Sequence, residues 1–509
     1  MSEPVASIND ISEADWERTP ASVKRLVLKL LERVEQLEQQ YKELHKDYEK
    51  LKEQVNRNSG NSSQPPSADG PEAKPVKRKG GSGKKRGGQA GHRGHHRQLF
   101  AVEECSEVID CYPNQCQCCG GELGGSDDHP QRHQVLEIPP IKPAIVEYRL
   151  HCLRCAECGE ATRGSLPAGV AAKGYGPRVV AVVGMLSGYH RQSQRLVQQA
   201  MSDLFGVELS LGSVNQLRQE ASEAVAEAVK EAQDYARVQP VVGADETSFP
   251  QGNADGKNPG ETKGWLWVLV TPLVCVFQVF LSRSQQAAKT LLGEEFSGIL
   301  NSDRYSSYTW VEVSHRQICW AHLKRDFTKI AQRSGKSQPL GRALLHQHKK
   351  LFKLWARVRD GTLEWERFVA LVAPIRAKVK QLLEEGAAYP IAEKETLLAK
   401  TVRTCRKLLK IEPALWLFIS VEGVEPTNNA AERAIRPAVI WRRISFGSQS
   451  EAGSTFVARM LTVVTTLKAQ NRNVLEFMTR ACQAAREGKP TPSLLPQKAD
   501  LQDELLAAA

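Results

Sequence analysis

Two aspartates stand at the ends of short apolar runs. PVVGAD closes on Asp245 and GILNSD closes on Asp303. Carboxylates in such places offer hard oxygen donors, the ligands that Mg²⁺ or Mn²⁺ takes, and carboxylate-bound ions suit chemistry on phosphates. Either aspartate alone says little, because Asp ends many strands. A third carboxylate, Glu432, lies in PTNNAAERAIRP beside Arg433 and Arg436, with Arg442 and Arg443 close behind. So many cations around one carboxylate make sense next to phosphates, and the four arginines are candidate DNA contacts. From charge alone, a surface Glu paired with Arg remains the simpler reading.

Sulfur forms a second constellation. Of twelve cysteines, five fall between Cys105 and Cys119 and three more are Cys152, Cys155 and Cys158. In a long chain without a visible secretory leader, such clustering favours metal over disulfides. Cys116-x2-Cys119 and Cys155-x2-Cys158 supply four thiolates for one tetrahedral, structural Zn²⁺, with Cys118, Cys152 and His151 as substitute ligands. The remaining Cys275, Cys319, Cys405 and Cys482 are scattered, as small core residues are.

Which elements would position these groups? From Gln239 the pattern reads as strand, a hairpin around Pro272 (KGWLWVLVTP, CVFQVFLSR), helix SQQAAKTLLGEEF and a fourth strand. That is the ribonuclease-H-like order, in which the first and fourth strands lie side by side and would bring Asp245 to Asp303. Leu, Lys, Arg and Glu at helical spacing over about 338–410 predict a helical insertion before Glu432. Residues 170–236 predict a helix-turn-helix-like DNA-binding region. A break stands at Gly206, Ser210 or Ser213 offers an N-cap, and Arg191, Arg195 and Arg218 are available to DNA. Runs QVLEIPP and AIVEYRL between the cysteine knuckles predict strands of a zinc-binding β module.

The N-terminal part carries apolar residues at alternating spacings of three and four, with Leu30, Leu37, Leu44 and Leu51 at one heptad position. Val and Tyr at the other position predict a coiled coil and self-association, at least a homodimer. Residues 56–100 collapse into Gly, Ser, Pro and basic residues. Nothing there offsets the entropy of ordering, so a disordered arm is expected, with Lys77, Arg78, Lys79, Lys84, Lys85 and Arg86 neutralising phosphates.

The fold class is therefore multidomain α+β. It comprises a coiled coil (20–55), the basic linker (56–100), the zinc module (101–165) and the helical region (170–236). An α/β catalytic domain with its insertion (237–470) and a C-terminal helix and tail (471–509) follow. The 509 residues are 41% hydrophobic, enough for a sizeable core, and a net charge of +11 points to a polyanionic partner. The polar N-terminus lacks a basic and apolar leader, and Pro272 interrupts the longest apolar run. A cytoplasmic, nucleoid-associated protein without a membrane span is expected.

Several long strings resemble transposases of the insertion-sequence sixty-six family, nearly end to end: NSSQPPSADGP with GGQAGHRG, the cysteine knuckles, LPAGVAAKGYGPR, FGVELSLGSV, VGADET, NSDRYSSY, CWAHLKRDF and PTNNAAERAIRP. The resemblance implies that Asp245, Asp303 and Glu432 are an Asp-Asp-Glu triad. It implies metal-dependent cleavage and transfer of DNA strands at element ends, by two-metal phosphoryl transfer onto target DNA. Cys319 and His322 match the family's Cys-x2-His signature, with active-site support and plain packing both open. Small accessory proteins encoded beside such transposases are implied as partners.

Overall fold

The computed structural model describes residues 12–62, 97–170, 174–391, 396–421 and 423–497. The basic-arm residues Lys77, Arg78, Lys79, Lys84, Lys85 and Arg86 lie outside them.

Helix α1 (Ala21–Val55) is a single rod of 35 residues. Its Leu30, Leu37, Leu44, Leu51, Tyr41 and Tyr48 remain exposed in the single chain. Four helices follow the cysteine region: α2 (Pro177–Gly188), α3 (Gln194–Phe205), α4 (Leu211–Ala224) and α5 (Ala226–Arg237). Ser193 and Ser210 cap α3 and α4, and Gly206 ends α3 in the left-handed conformation (φ 61) that a side chain resists.

A mixed sheet then forms from β1 (Val241–Ser248), β2 (Trp265–Val270), β3 (Cys275–Phe280), β4 (Ile299–Ser302) and β5 (Arg316–Ile318). Its order is β3-β2-β1-β4-β5; β1 to β3 make an antiparallel meander, and β4 and β5 join in parallel. Helix α6 (Gln285–Leu292) crosses between β3 and β4. Strands β2 and β3 are almost wholly apolar because both faces are covered. The open edge of β3 is not left for another chain. Thr462 and Thr466, four residues apart on a later helix, accept from the backbone N–H groups of Phe277 and Cys275 at 2.9 and 3.1 Å.

After β5 come α7 (Trp320–Ala331), then the long helices α8 (Ser337–Arg359), α9 (Trp365–Ala388) and α10 (Leu397–Lys410). These four pack on a core of their own around Trp320, Phe327, Phe368 and Trp416. The chain then returns to the sheet in α11 (Asn429–Ser445), α12 (Glu451–Ala469) and α13 (Val474–Glu487). The sheet, α2–α5 and α11–α13 share one hydrophobic cluster. No helix among the described residues is long and apolar enough to cross a membrane.

One expectation needs correction. Residues 134–140 and 144–150 carry no ladder; pairing in that region is confined to the short hairpin of Cys152–Arg154 with Ala161–Arg163 and an isolated bridge between Gln115 and Glu122. The alternating apolar residues have no second layer to bury them, and Val135 and Ile145 are 81% and 87% exposed. Arg218 is half-buried, its guanidinium 4.5 Å over the Phe456 ring, and burial lowers its pKa.

Candidate active site

Asp245 is not the last residue of its strand. The antiparallel ladder with β2 carries β1 on to Ser248, pairing Asp245 with Val268. The parallel ladder on the other side stops earlier, at Gly243 opposite Asn301. Continuing that register by two residues sets Asp245 beside Asp303, the first residue beyond β4. Asp245 therefore occupies the point where one neighbour strand has ended and the other has not. That leaves room on its β4 side.

The third carboxylate arrives across the whole helical insertion, and a stapled loop brings it there. Asn301 on β4 donates to the carbonyls of Glu425 and Thr427 at 2.7 and 3.1 Å. The Trp320 N–H donates to the Pro426 carbonyl at 2.9 Å. Asn428, buried ahead of α11, donates its side-chain amide to the Ala244 carbonyl at 2.7 Å and its backbone N–H to Cys319 Sγ at 3.2 Å. Gly243 makes this approach feasible, because a Cβ there would stand 2.9 Å from Asn428 Oδ1. Glu432 then falls in the first turn of α11, where the helix dipole favours a carboxylate.

The electrostatics follow from this crowding. Burial pushes the Asp245 carboxyl well above the usual range, and the charges of Glu246, Asp303 and Glu432 add to the shift. Asp245 Oδ1 accepts the Glu246 N–H at 2.9 Å, and Asp303 Oδ1 accepts the Tyr305 N–H at 2.8 Å. Glu432 Oε1 is buried without a hydrogen-bond partner. Asp245 senses the charges of Asp303 and Glu432, yet the oxygens of the three do not gather into a three-ligand cluster among the described residues. The repulsion around Asp245 and the unsatisfied Glu432 oxygen are what a hard divalent cation such as Mg²⁺ or Mn²⁺ would relieve.

A fourth carboxylate escaped the sequence reading. Glu246 points to the opposite face of β1, its side chain 2% exposed, and holds Arg283 at 2.6 Å and the Tyr308 hydroxyl at 2.5 Å. Arg283 in turn stacks 3.7 Å over Tyr305 and 4.7 Å over Trp265. Burial raises the Glu246 pKa, with Asp303 adding to the shift. The signal was its place directly after Asp245, on the face that period-two alternation turns inward.

Cys319 caps α7 and His322 sits in its first turn, both facing Glu432. His322 Nδ1 lies 3.6 Å from Glu432 Oε1. Of the arginines on α11, Arg433, Arg436 and Arg443 are exposed. Arg442 is tied instead to β1, through Thr247 Oγ1 at 2.9 Å and Ser248 Oγ at 2.6 Å. Burial lowers its pKa.

The cysteine knuckles form as two like turns. Gly120 and Gly159 share a φ of 72, and each donates back to the first cysteine's carbonyl at 2.9 Å. Backbone N–H groups lower the Cys116 pKa (from Cys119 and Cys118) and the Cys155 pKa (from Cys158 and Glu157). The structure does not bring Cys116, Cys119, Cys155 and Cys158 to one point. Among the described residues, Cys319, His322 and Glu432 make the group of three or more ligands that converges.

The uncharacterized protein y4qI of Sinorhizobium fredii is 28% identical over 281 residues, 49% of each chain. The uncharacterized protein y4hP of the same organism is 24% identical over 404 residues, 72% of this chain and 69% of its own length. The chain thus spans about half the length of the first relative. A family of unknown function matches residues 5–98. The transposase IS66 family matches residues 175–455, more than half of the sequence and the whole of the sheet with Asp245, Asp303 and Glu432, and the chain belongs to that family.

Proposed function

We propose that this transposase-family chain cleaves DNA at the ends of an insertion sequence and joins the freed 3′ ends to target DNA, with Asp245, Asp303 and Glu432 as catalytic metal ligands on a ribonuclease-H-like domain. The observation that carries the reading is that the helix bearing Glu432, reached over a helical insertion, is stapled beside Asp245, with Asp303 in register across the strand pair and the charges of both felt at Asp245. Divalent cations held by these carboxylates would activate the attacking oxygen and stabilise the leaving one. Asp245 and Asp303 supply fixed donors from the rigid sheet. Glu432 supplies the donor that moves with α11, and the Asn428 staple sets its distance. Exposed Arg433, Arg436 and Arg443 offer cations to the phosphates flanking the scissile bond. Arg442 serves to fasten α11 to β1.

The same reading gives the cysteine knuckles a structural Zn²⁺, its four thiolates meeting once the segment between Cys119 and Cys155 folds back. The exposed Leu seam of α1 is the surface for self-association. The decisive experiment incubates purified chain with DNA carrying the element ends and Mg²⁺. Asp245→Asn, Asp303→Asn and Glu432→Gln should each abolish nicking and joining while DNA binding persists. Full cleavage by any one of them refutes the triad, and binding without Mg²⁺-dependent cleavage in the parent chain would make this a DNA-binding regulator.

A further inference from the structure

Cys319, His322 and Glu432 carry chemistry that the three-carboxylate reading leaves unused. Their ligand atoms all lie within 4.8 Å of one another. A tetrahedral Zn²⁺ with nitrogen and oxygen ligands sets those two atoms about 3.4 Å apart. His322 Nδ1 and Glu432 Oε1 are 3.6 Å apart. That separation is too long for a hydrogen bond, and both atoms are buried without a hydrogen-bond partner. Cys319 Sγ is held in place by the Asn428 N–H, so the thiol does not need to swing in.

We propose that Cys319, His322 and Glu432 form a three-ligand site for a thiophilic divalent ion, Zn²⁺ or its analogue Co²⁺, with the fourth position open. Sulfur and imidazole select against Mg²⁺, which takes oxygen. The site shares Glu432 with the carboxylate centre. Resting on the catalytic reading above, occupancy draws Glu432 toward α7 and away from Asp245 and Asp303, so Zn²⁺ inhibits Mg²⁺-dependent cleavage. On binding, the thiol proton and any proton on Nδ1 leave, and the ring's remaining proton sits on Nε2. Arg325 Nη1, now 3.1 Å from Nε2, must then turn away. Arg325 is therefore a built-in competitor of the ion.

The test uses the full chain with Cys105, Cys111, Cys116, Cys118, Cys119, Cys152, Cys155 and Cys158 replaced by Ser, so that the cysteine region contributes no thiolate. Co²⁺ is titrated and the thiolate charge-transfer absorption is read, with circular dichroism checking the fold of each variant. One equivalent of absorbing Co²⁺ is expected, displaced by Zn²⁺. Cys319→Ser should erase the band. His322→Gln and Glu432→Gln should weaken binding by at least about tenfold. Arg325→Gln, which touches no ligand bond, should tighten it. A folded chain without the band, or a band that survives Cys319→Ser, overturns the site. A Cys319-dependent band, with a parent chain that never cleaves DNA with Mg²⁺, upholds the site and refutes the catalytic reading instead.

Discussion

The side-chain amide of Asn428 donates to the carbonyl of Ala244, 184 positions earlier, at 2.7 Å. Ala244 directly precedes Asp245, and Asn428 directly precedes the helix that bears Glu432. One buried hydrogen bond therefore sets the spacing between two of the three carboxylates, and it does so from backbone to helix start rather than through the carboxylates themselves.

Asn428→Ala should consequently separate stability from catalysis. Loss of the bond leaves the Ala244 carbonyl buried and unpaired, costing about 1–3 kcal/mol. Cleavage should fall far more than this predicts for the folded fraction, because Glu432 loses its register, while DNA affinity holds. Gly243→Ala should act in the same direction by pressing a Cβ against Asn428 Oδ1. If both variants cleave at the parent rate, the bond does not position Glu432.

What the sequence made legible follows from the range of the interactions. Local apolar runs and turn residues mark β1 to β4 and the helices, and strand order alone predicts that Asp245 and Asp303 approach. Glu432 reads only by family likeness, because the groups that anchor the loop before its helix, Ala244, Asn301 and Cys319, lie on the far side of α8–α10. Asp245 reads as a strand end because PVVGAD stops being apolar there, whereas the ladder with β2 continues through Glu246 and Thr247. The runs 134–140 and 144–150 read as strands for the same reason in reverse: they alternate correctly, yet nothing pairs with them.

Asp245 should make the protein's stability depend on pH in an unusual direction. Its carboxyl is raised, so the folded chain holds that proton more tightly than the unfolded chain. The contribution is favourable at low pH and is lost as pH climbs from the ordinary aspartate range through the raised value. Asp245→Asn should therefore stabilise the chain in EDTA at neutral pH. Mg²⁺ should raise the parent's Tm, more so at higher pH, and leave the variant's nearly unchanged. Thermal melts across pH with and without Mg²⁺ decide this; a parent Tm indifferent to Mg²⁺ at every pH speaks against a cation among these carboxylates.

Glu246 calls for the opposite outcome. Replacing it with Gln removes the charge that holds Arg283 and one acceptor of the Tyr308 hydroxyl, both inside the fold. Breaking a buried pair costs about 3–5 kcal/mol, and the partial exposure of Arg283 reduces this to about 2–3 kcal/mol. Denaturant melts should register a loss that Mg²⁺ does not repair, because Glu246 faces away from Asp245. A Glu246→Gln chain of parental stability that fails to cleave would instead make Glu246 a metal ligand.

Glu53 links α1 to the helices around the site. Its carboxylate meets Lys400 at 2.6 Å, Arg333 at 3.3 Å and Lys329 at 3.6 Å, and Arg333 and Lys329 lie at the end of α7 opposite Cys319 and His322. Burial opposes its charge, but Lys400, Lys329 and Arg333 win and the pKa is lowered. The clasp is thus complete at neutral pH and is lost as pH falls below the ordinary glutamate range through the lowered value. Glu53→Gln should cost about 1–2 kcal/mol after allowance for screening at this half-open site. The loss should concentrate locally. Hydrogen exchange should quicken over the C-terminal turns of α1 and the last turn of α7, and added salt should produce the same pattern in the parent chain. Unchanged exchange in both segments would mean that the four charges merely gather there without holding α1.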